Sequence, residues 1–251
     1  LMNGTWSLFQ RSIHVLQKTW LTRFIMNFSQ PLLYMTAMGL GVGAYISQMG
    51  GVSYFQFIGT GIVAATALWE ASFSCTYDVF VKIHYRKLYQ SILAAPVTVS
   101  NVVWGEIWSA VFKSCLYAFA VFIAIALLGL VHSWTAIVFL IPLALLALVI
   151  ALLSIIFTSL NPSIEYFNYF INLFVAPSYM FSGIFFPLDN LPTWAQTLVW
   201  LNPVYHGVSL CRGLLLGNLP DLWLAHLGVL LFFAAFLSLW PTKLLYRRLI
   251  Q

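Results

Sequence analysis

Apolar residues fall in long runs separated by short polar intervals, and their period is helical rather than alternating. Runs near 22–46, 55–79, 106–130, 134–159, 164–186 and 220–242 each reach the about 20 residues a helix needs to cross about 30 Å of hydrocarbon. Six spans are expected, the fifth being the softest because Asn168, Asn172 and Pro177 interrupt it. Ahead of the first run, the segment WSLFQRSIHVLQKTW sets Trp6, Phe9, Ile13, Leu16 and Trp20 on one helical face, with Gln10, His14, Gln17 and Lys18 mostly on the other. That pattern predicts a helix lying in the membrane interface over residues 1–21. The alternative is that it prolongs the first span.

Two intervals are too ordered for plain loops. In the link over 80–104, Ile83, Leu88, Ile92 and Leu93 keep a helical spacing until Pro96 stops it, and Ser100 and Asn101 are candidate caps for the next helix. A rigid helix over 86–95 would make a handle for another protein; a solvated basic turn is the alternative. Between the fifth and sixth runs, Pro187, Pro192 and Pro203 forbid one continuous helix through a segment that is too apolar to be free. Two short helices fit: 192–200, capped by Asp189 or Asn190, and 203–216, closed by Gly217 and Asn218. Backbone that leaves a single helix at membrane depth must be enclosed by protein or line a cavity, so 187–218 is read as a re-entrant pair. Phe185, Phe186, Trp194, Trp200 and Leu201 are expected to press its apolar faces onto the span ends.

Composition agrees with this reading. The 251 residues are 62% hydrophobic, 17% aromatic and 7% charged, against about 25% charged in a soluble domain. The fold class is an all-α polytopic membrane protein. Arg11, Lys18, Arg23, Lys82, Arg86, Lys87, Lys113, Lys243, Arg247 and Arg248 fall on one side of the six-span arrangement, and only Arg212 on the other. By the positive-inside rule the rich side is cytoplasmic, with both termini inside. Anionic lipid headgroups account for the net charge of +5 without a nucleic acid. The first run follows basic residues and lacks a small-residue cleavage site, so it reads as a span rather than a signal peptide. Cys75, Cys115 and Cys211 have no metal or redox spacing and read as small buried hydrophobes.

Intramembrane charges are the default functional candidates. Glu70 and Lys113 each lie about 12 Å inside a span, counting inward from Asp78 and Gly105 at about 1.5 Å per residue. They are placed to pair. Alternatively, Lys113 snorkels to the headgroups and Glu70 is protonated or hydrogen-bonded. Glu70 beside Trp69, facing Asn168 and Asn172, would line a cavity suited to a sugar headgroup, with Phe73 and Tyr179 on the same pathway.

The basic link ending LAAPVTVSNVVWGE and the block FSGIFFPLDNLPTWAQTLVWLNPVYHGVSLCRGLLLG resemble the type-2 family of ABC exporter membrane subunits. Within that family, LWEASFSCTYDVFVKIHYRKLYQSILAAPVTVSNVVWGEI and NPSIEYFNYFINLFVAPSYMFSGIFFPLDNLP are similar to the permeases of nodulation-type lipo-oligosaccharide exporters. The resemblance covers most of the chain and is most specific over 69–107 and 161–217. It implies that Tyr85, Arg86, Lys87, Leu88, Tyr89, Ile92, Leu93 and Pro96 form a coupling helix seated on an ATPase, and that Trp6 to Trp20 form a connecting helix. It also implies that Phe186, Pro187, Trp194, Trp200, Asn202 and Pro203 belong to a cap over the exit. No G-x-x-x-x-G-K-[ST] string occurs. This chain is then a transport subunit of the bacterial inner membrane with no cofactor or metal of its own. ATP and Mg would sit on two copies of a partner ATPase, joined to a homodimer of this subunit. The cargo is expected to be a lipo-oligosaccharide or glycolipid moved outward. Drug or polysaccharide export is the alternative; a secondary transporter, or an intramembrane serine protease built on Ser209 and His226, is more remote.

Overall fold

The computed structural model describes residues 2–131, 133–188 and 191–250. Helix α1 runs unbroken over Met2–Gly41 and contains Pro31. The expected break between an interfacial helix and a first span is therefore absent. Its first turns lie along the start of α5 (Val99–Leu127), with Thr5 against Asn101 and the Phe9 ring 5.7 Å from Phe112. Further along, Trp20, Phe24 and Phe28 share a groove with Phe119, Ile123 and Leu127. The two helices thus run parallel, and the inward face of the first segment is Leu8, Phe9, Ser12, Ile13 and Leu16, while Trp6 and Trp20 are exposed.

A two-residue hairpin, β1 (Gln48–Met49) and β2 (Val52–Ser53), leads into α2 (Tyr54–Phe73), whose first turn is capped by the Ser53 hydroxyl accepting from the Gln56 N–H at 3.2 Å. α2 continues through a π turn, Ser74–Asp78, into α3 (Val79–His84). A π turn leaves a carbonyl without its α-helical donor. Here the Thr158 hydroxyl donates to the Cys75 carbonyl at 2.8 Å. After a turn at Lys87 comes α4 (Leu88–Leu93), shorter than the expected 86–95 because Lys87 is left-handed (φ 47°) and Arg86 precedes it. Thr98, rather than Ser100 or Asn101, caps α5 by accepting from the Asn101 N–H at 3.3 Å.

A 3₁₀ turn, Trp134–Phe139, enters α6 (Leu140–Leu160). The fifth run is built from three five-residue pieces: α7 (Tyr166–Phe170), a second π turn (Ile171–Val175) and α8 (Ala176–Met180). Then follow α9 (Thr193–Val199), α10 (Pro203–Leu216), α11 (Trp223–Ser238) and α12 (Pro241–Ile250). Both expected short helices of the proline-rich segment are present, and α10 ends at left-handed Gly217 (φ 82°). The expected caps Asp189 and Asn190 lie outside the described residues.

Four helical stretches among the described residues are long and apolar enough to cross a membrane: Tyr54–His84, Val99–Leu127, Trp134–Leu160 and Trp223–Leu249. The first and fifth expected spans are not among them, because α1 carries Arg23, Asn27 and Gln30 and the fifth run is short and interrupted.

α2 is the axis of the bundle, buried against α1, α5, α6 and α10. In lipid, helices associate through close packing rather than escape from water, which favours small residues at their contacts. Ala64, Ala65, Ala67 and Ala71 supply them on α2, set between Ile107, Val121 and Ile125 of α5 and Leu143, Leu146 and Ile150 of α6. At Gly61 a Cβ would fall 2.8 Å from Arg212 Nη2 and 3.2 Å from Ile184 Cα, so only glycine admits that approach.

The basic asymmetry is spatial as well as sequential. Arg11, Arg23, Lys82, Arg86 and Lys113 line one cleft, and Arg248 donates to His84 Nε2 at 2.8 Å at the same end. Arg212 lies at the other end, clamping the Gly183 carbonyl (2.8 Å) and the Phe57 carbonyl (3.2 Å) beneath the Phe57 ring.

Candidate functional site

The register of the α2–α3 rod creates two adjoining ladders. Trp69, Phe73 and Tyr77 recur every four residues and stack at 5.8 and 5.6 Å between ring centroids. Glu70, Ser74 and Asp78 form the neighbouring ladder, one residue on. Lys113 of α5 reaches across to all three: it donates to the Ser74 hydroxyl, and its Nζ lies 3.4 Å from Glu70 Oε1 and 3.7 Å from Asp78 Oδ2. Arg23 of α1 reaches Asp78 from the opposite side, at 3.4 Å. Glu70 and Lys113 are both nearly sealed, at 7% and 8% exposure. A charge so buried is tolerable only with a partner, and the two do pair.

Beyond Glu70, away from the basic end, lies a pocket of about 150 Å³. α1 presents Asn27, Gln30 and Tyr34 to it, α2 presents Thr66, Trp69 and Glu70, and α8 presents Tyr179. The Tyr179 ring stands edge-on to Trp69 at 5.8 Å and to Phe185 at 4.9 Å. Aromatic walls, two amides and a carboxylate therefore converge on one small space. Lys113 lines the cleft at the basic end and Glu70 lines the pocket, so their ion pair is part of the wall between them.

Three of the expected pathway residues, Trp69, Glu70 and Tyr179, are brought together here. Asn168 and Asn172 are not: both are exposed, Asn168 accepts from the Tyr77 hydroxyl at 3.1 Å, and Asn172 donates to the Asn168 carbonyl at 2.9 Å. The interruption of the fifth run places them nearer the basic end, about two turns from Glu70. Phe73 is exposed and stacks on the aromatic ladder rather than entering the pocket. Sequence reasoning missed Asn27, Gln30 and Tyr34, although their spacing of three and four along a membrane-bound helix marks a polar stripe.

The short helix α4 is pinned by one side. Tyr89 is 1% exposed and packs with Val79 and Val102, joined by Leu88, Ile92 and Leu93 at the edge. Burial, reinforced by the Glu106 carboxylate, holds the Tyr89 phenol well above its ordinary pKa. Tyr85, Arg86, Lys87, Gln90 and Pro96 are left exposed. The eight expected coupling residues thus divide into an anchor of four and an exposed rim of four.

At the opposite end, Asn202 caps α10 by accepting from the Val204 N–H at 3.1 Å and donates to the Ser178 carbonyl at 2.8 Å; Pro203 is buried at the first helical position. The Trp200 ring stacks on His226 at 5.3 Å, and its carbonyl accepts from His206 Nε2 at 2.9 Å. That commits His206 Nδ1 to receive the His226 Nδ1 proton at 2.7 Å. His226 is accordingly a partner of His206 in this cap. Phe185 and Phe186 are half-buried as expected, and so is Pro187, but Trp194 (68% exposed) and Leu201 (67%) face outward. In a seven-residue helix only one face can be inward, and Val199 takes it.

Residues 3–216 match the family described as ABC-2 type transporter. The chain is 30% identical to nodulation protein J of Rhizobium leguminosarum bv. viciae, over 98% of this chain and 95% of that protein. It is 31% identical to nodulation protein J of Rhizobium meliloti (97% and 93%) and 26% identical to the inner membrane transport permease YadH of Escherichia coli (93% and 92%). With its apolar helices, this likeness makes the chain a multi-pass membrane protein, and it belongs to the ABC-2 type transporter family.

Proposed function

We propose that this chain is the membrane subunit of an ATP-driven exporter that carries a lipo-oligosaccharide or related glycolipid outward across the bacterial inner membrane. The observation that carries the choice of cargo is the pocket between α1, α2 and α8. Aromatic faces beside amides and a carboxylate suit a sugar ring, and apolar helices on either side suit its lipid tail. The full-length likeness to nodulation proteins J supports the same reading.

Six spans remain the best reading of the topology. α1 accompanies α5 along its length, so a membrane crossed by one is crossed by the other. The fifth run follows α2 in the opposite sense: Phe167 meets Phe80, Tyr179 meets Trp69, and Ile184 meets Gly61. At about 1.5 Å per residue, 61 to 80 covers about 29 Å, a full hydrocarbon thickness. The basic end is then cytoplasmic, with both termini there, and the exposed rim around α4 docks one of two ATPase copies on a homodimer of this chain. The pair α9 and α10 descends to Asn202 and returns to Gly217 beside Ser133, supporting a re-entrant cap on the outer side.

Docking at the rim is tested by co-purification from detergent. Reversing charge at Arg86 and Lys87 together should cut recovery of the ATPase at least tenfold while the permease keeps its monodisperse profile. Undiminished recovery would remove α4 from the contact. Leu88→Asp is a poorer probe, since Leu88 helps to seat α4 on the bundle.

A further inference from the structure

We infer that the cleft between α1, α3 and α5 at the basic end is a binding site for a phosphate group, of the kind carried by an anionic lipid headgroup. Five cations line the cleft: Arg11, Arg23, Lys82, Arg86 and Lys113. Arg23 pairs with Asp78 at 3.4 Å, Lys82 with Glu106 at 2.5 Å and Lys113 with Glu70 at 3.4 Å, so three cations and three carboxylates cancel. Arg11 and Arg86 are left over. Both are exposed, and neither has an ion-pair partner among the described residues.

Two guanidinium groups without counter-charge on the walls of one cleft repel each other and attract an anion. A guanidinium fork matches phosphate oxygens bidentately, and Ser12 and Ser109 add hydroxyls to the same lining. Size narrows the ligand further. The cleft measures about 110 Å³, well below the about 300–1,000 Å³ of sites that enclose a whole drug-sized molecule. It takes a headgroup, not an entire amphiphile. The main chain at Arg86 is fixed: its backbone N–H donates to the Val81 carbonyl at 3.0 Å, and the left-handed Lys87 that follows turns the chain away. The same chemistry would accept free phosphate, which the test must separate from a lipid.

The full-length chain is placed in phosphatidylcholine nanodiscs and titrated with fluorescent phosphatidic acid, with and without inorganic phosphate in the buffer. No ATPase is present, so failure here is independent of the coupling and cargo assignments. Arg11→Gln/Arg86→Gln should lose about 25-fold in affinity for phosphatidic acid, at about fivefold per cation. Lys243→Gln/Arg247→Gln removes the same charge from exposed positions on α12 outside the cleft and should lose less than threefold. Displacement of the lipid by millimolar inorganic phosphate would support the site and identify free phosphate as a competent ligand; persistence of the lipid would identify the lipid-borne group as preferred. Equal losses in the two double variants would mean general surface attraction and would overturn the site. So would unchanged lipid affinity in Arg11→Gln/Arg86→Gln, including the case where that variant loses only its hold on the ATPase.

Discussion

Lys113 holds more than one partner, and this makes the buried pair asymmetric. If Glu70 becomes Gln, the ammonium keeps the Ser74 hydroxyl and Asp78; if Lys113 becomes Met, Glu70 loses its only cation within ion-pair reach among the described residues. Breaking a buried pair from the side that strands a charge costs about 3–5 kcal/mol, whereas exchanging one hydrogen-bonded group costs about 1–2 kcal/mol. Lys113→Met should therefore lower stability to denaturant more than Glu70→Gln, and the double variant should recover part of the Lys113→Met loss. Equal losses, or strict additivity, would show that the pair is not coupled. The sequence put two lone charges at matching depth but left open whether they pair, since a snorkelling Lys113 and a protonated Glu70 fit the same pattern. The participation of Asp78 and Arg23 was not legible, because it depends on a π turn whose residues, Ser-Cys-Thr-Tyr-Asp, have no helical signature of their own.

At the scale of elements, the α9–α10 pair was legible because proline, glycine and asparagine at its ends act through local backbone geometry, whereas for α4 only the stop before Pro96 was, its start being set by left-handed Lys87. What the local sequence does not carry is which face points inward. Trp194 is as apolar as Val199, yet only Val199 is covered, because the outcome depends on which helices stand beside α9. Continuity of α1 was the second of two readings, since an amphipathic face suits both a headgroup layer and the flank of α5. Single cysteines from Leu191 to Leu216, in a background lacking Cys75, Cys115 and Cys211, should label from outside with a helical period. Positions 194, 198 and 201 should react fast, and 199, 204, 206, 208 and 215 slowly. Uniform rapid labelling would mean that the cap is not packed as described. Tyr89→Ala belongs to this scale too: loss of the ring that seats α4 should reduce ATPase recovery even though the exposed rim is untouched, while Tyr89→Phe should retain it.

For the whole molecule, the two ends of the bundle divide the work. The basic end gathers the exposed rim of α4, the charged cleft and the ion pair that walls it from the pocket. The other end is closed by half-buried Arg212, the His206–His226 pair and the Asn202 cap, all tying α10 to its neighbours. Cargo held between Tyr34, Trp69 and Tyr179 would lie between a side that receives energy and a side that must open. The most direct measurement is translocation of a fluorescent lipid-linked oligosaccharide in proteoliposomes containing this chain and its ATPase. Movement should require ATP, should fall at least tenfold with Trp69→Ala at unchanged ATPase recovery, and should not be shared by a lipid lacking the sugar. Translocation without ATP, or equal rates for the wild type and Trp69→Ala, would contradict the proposed function.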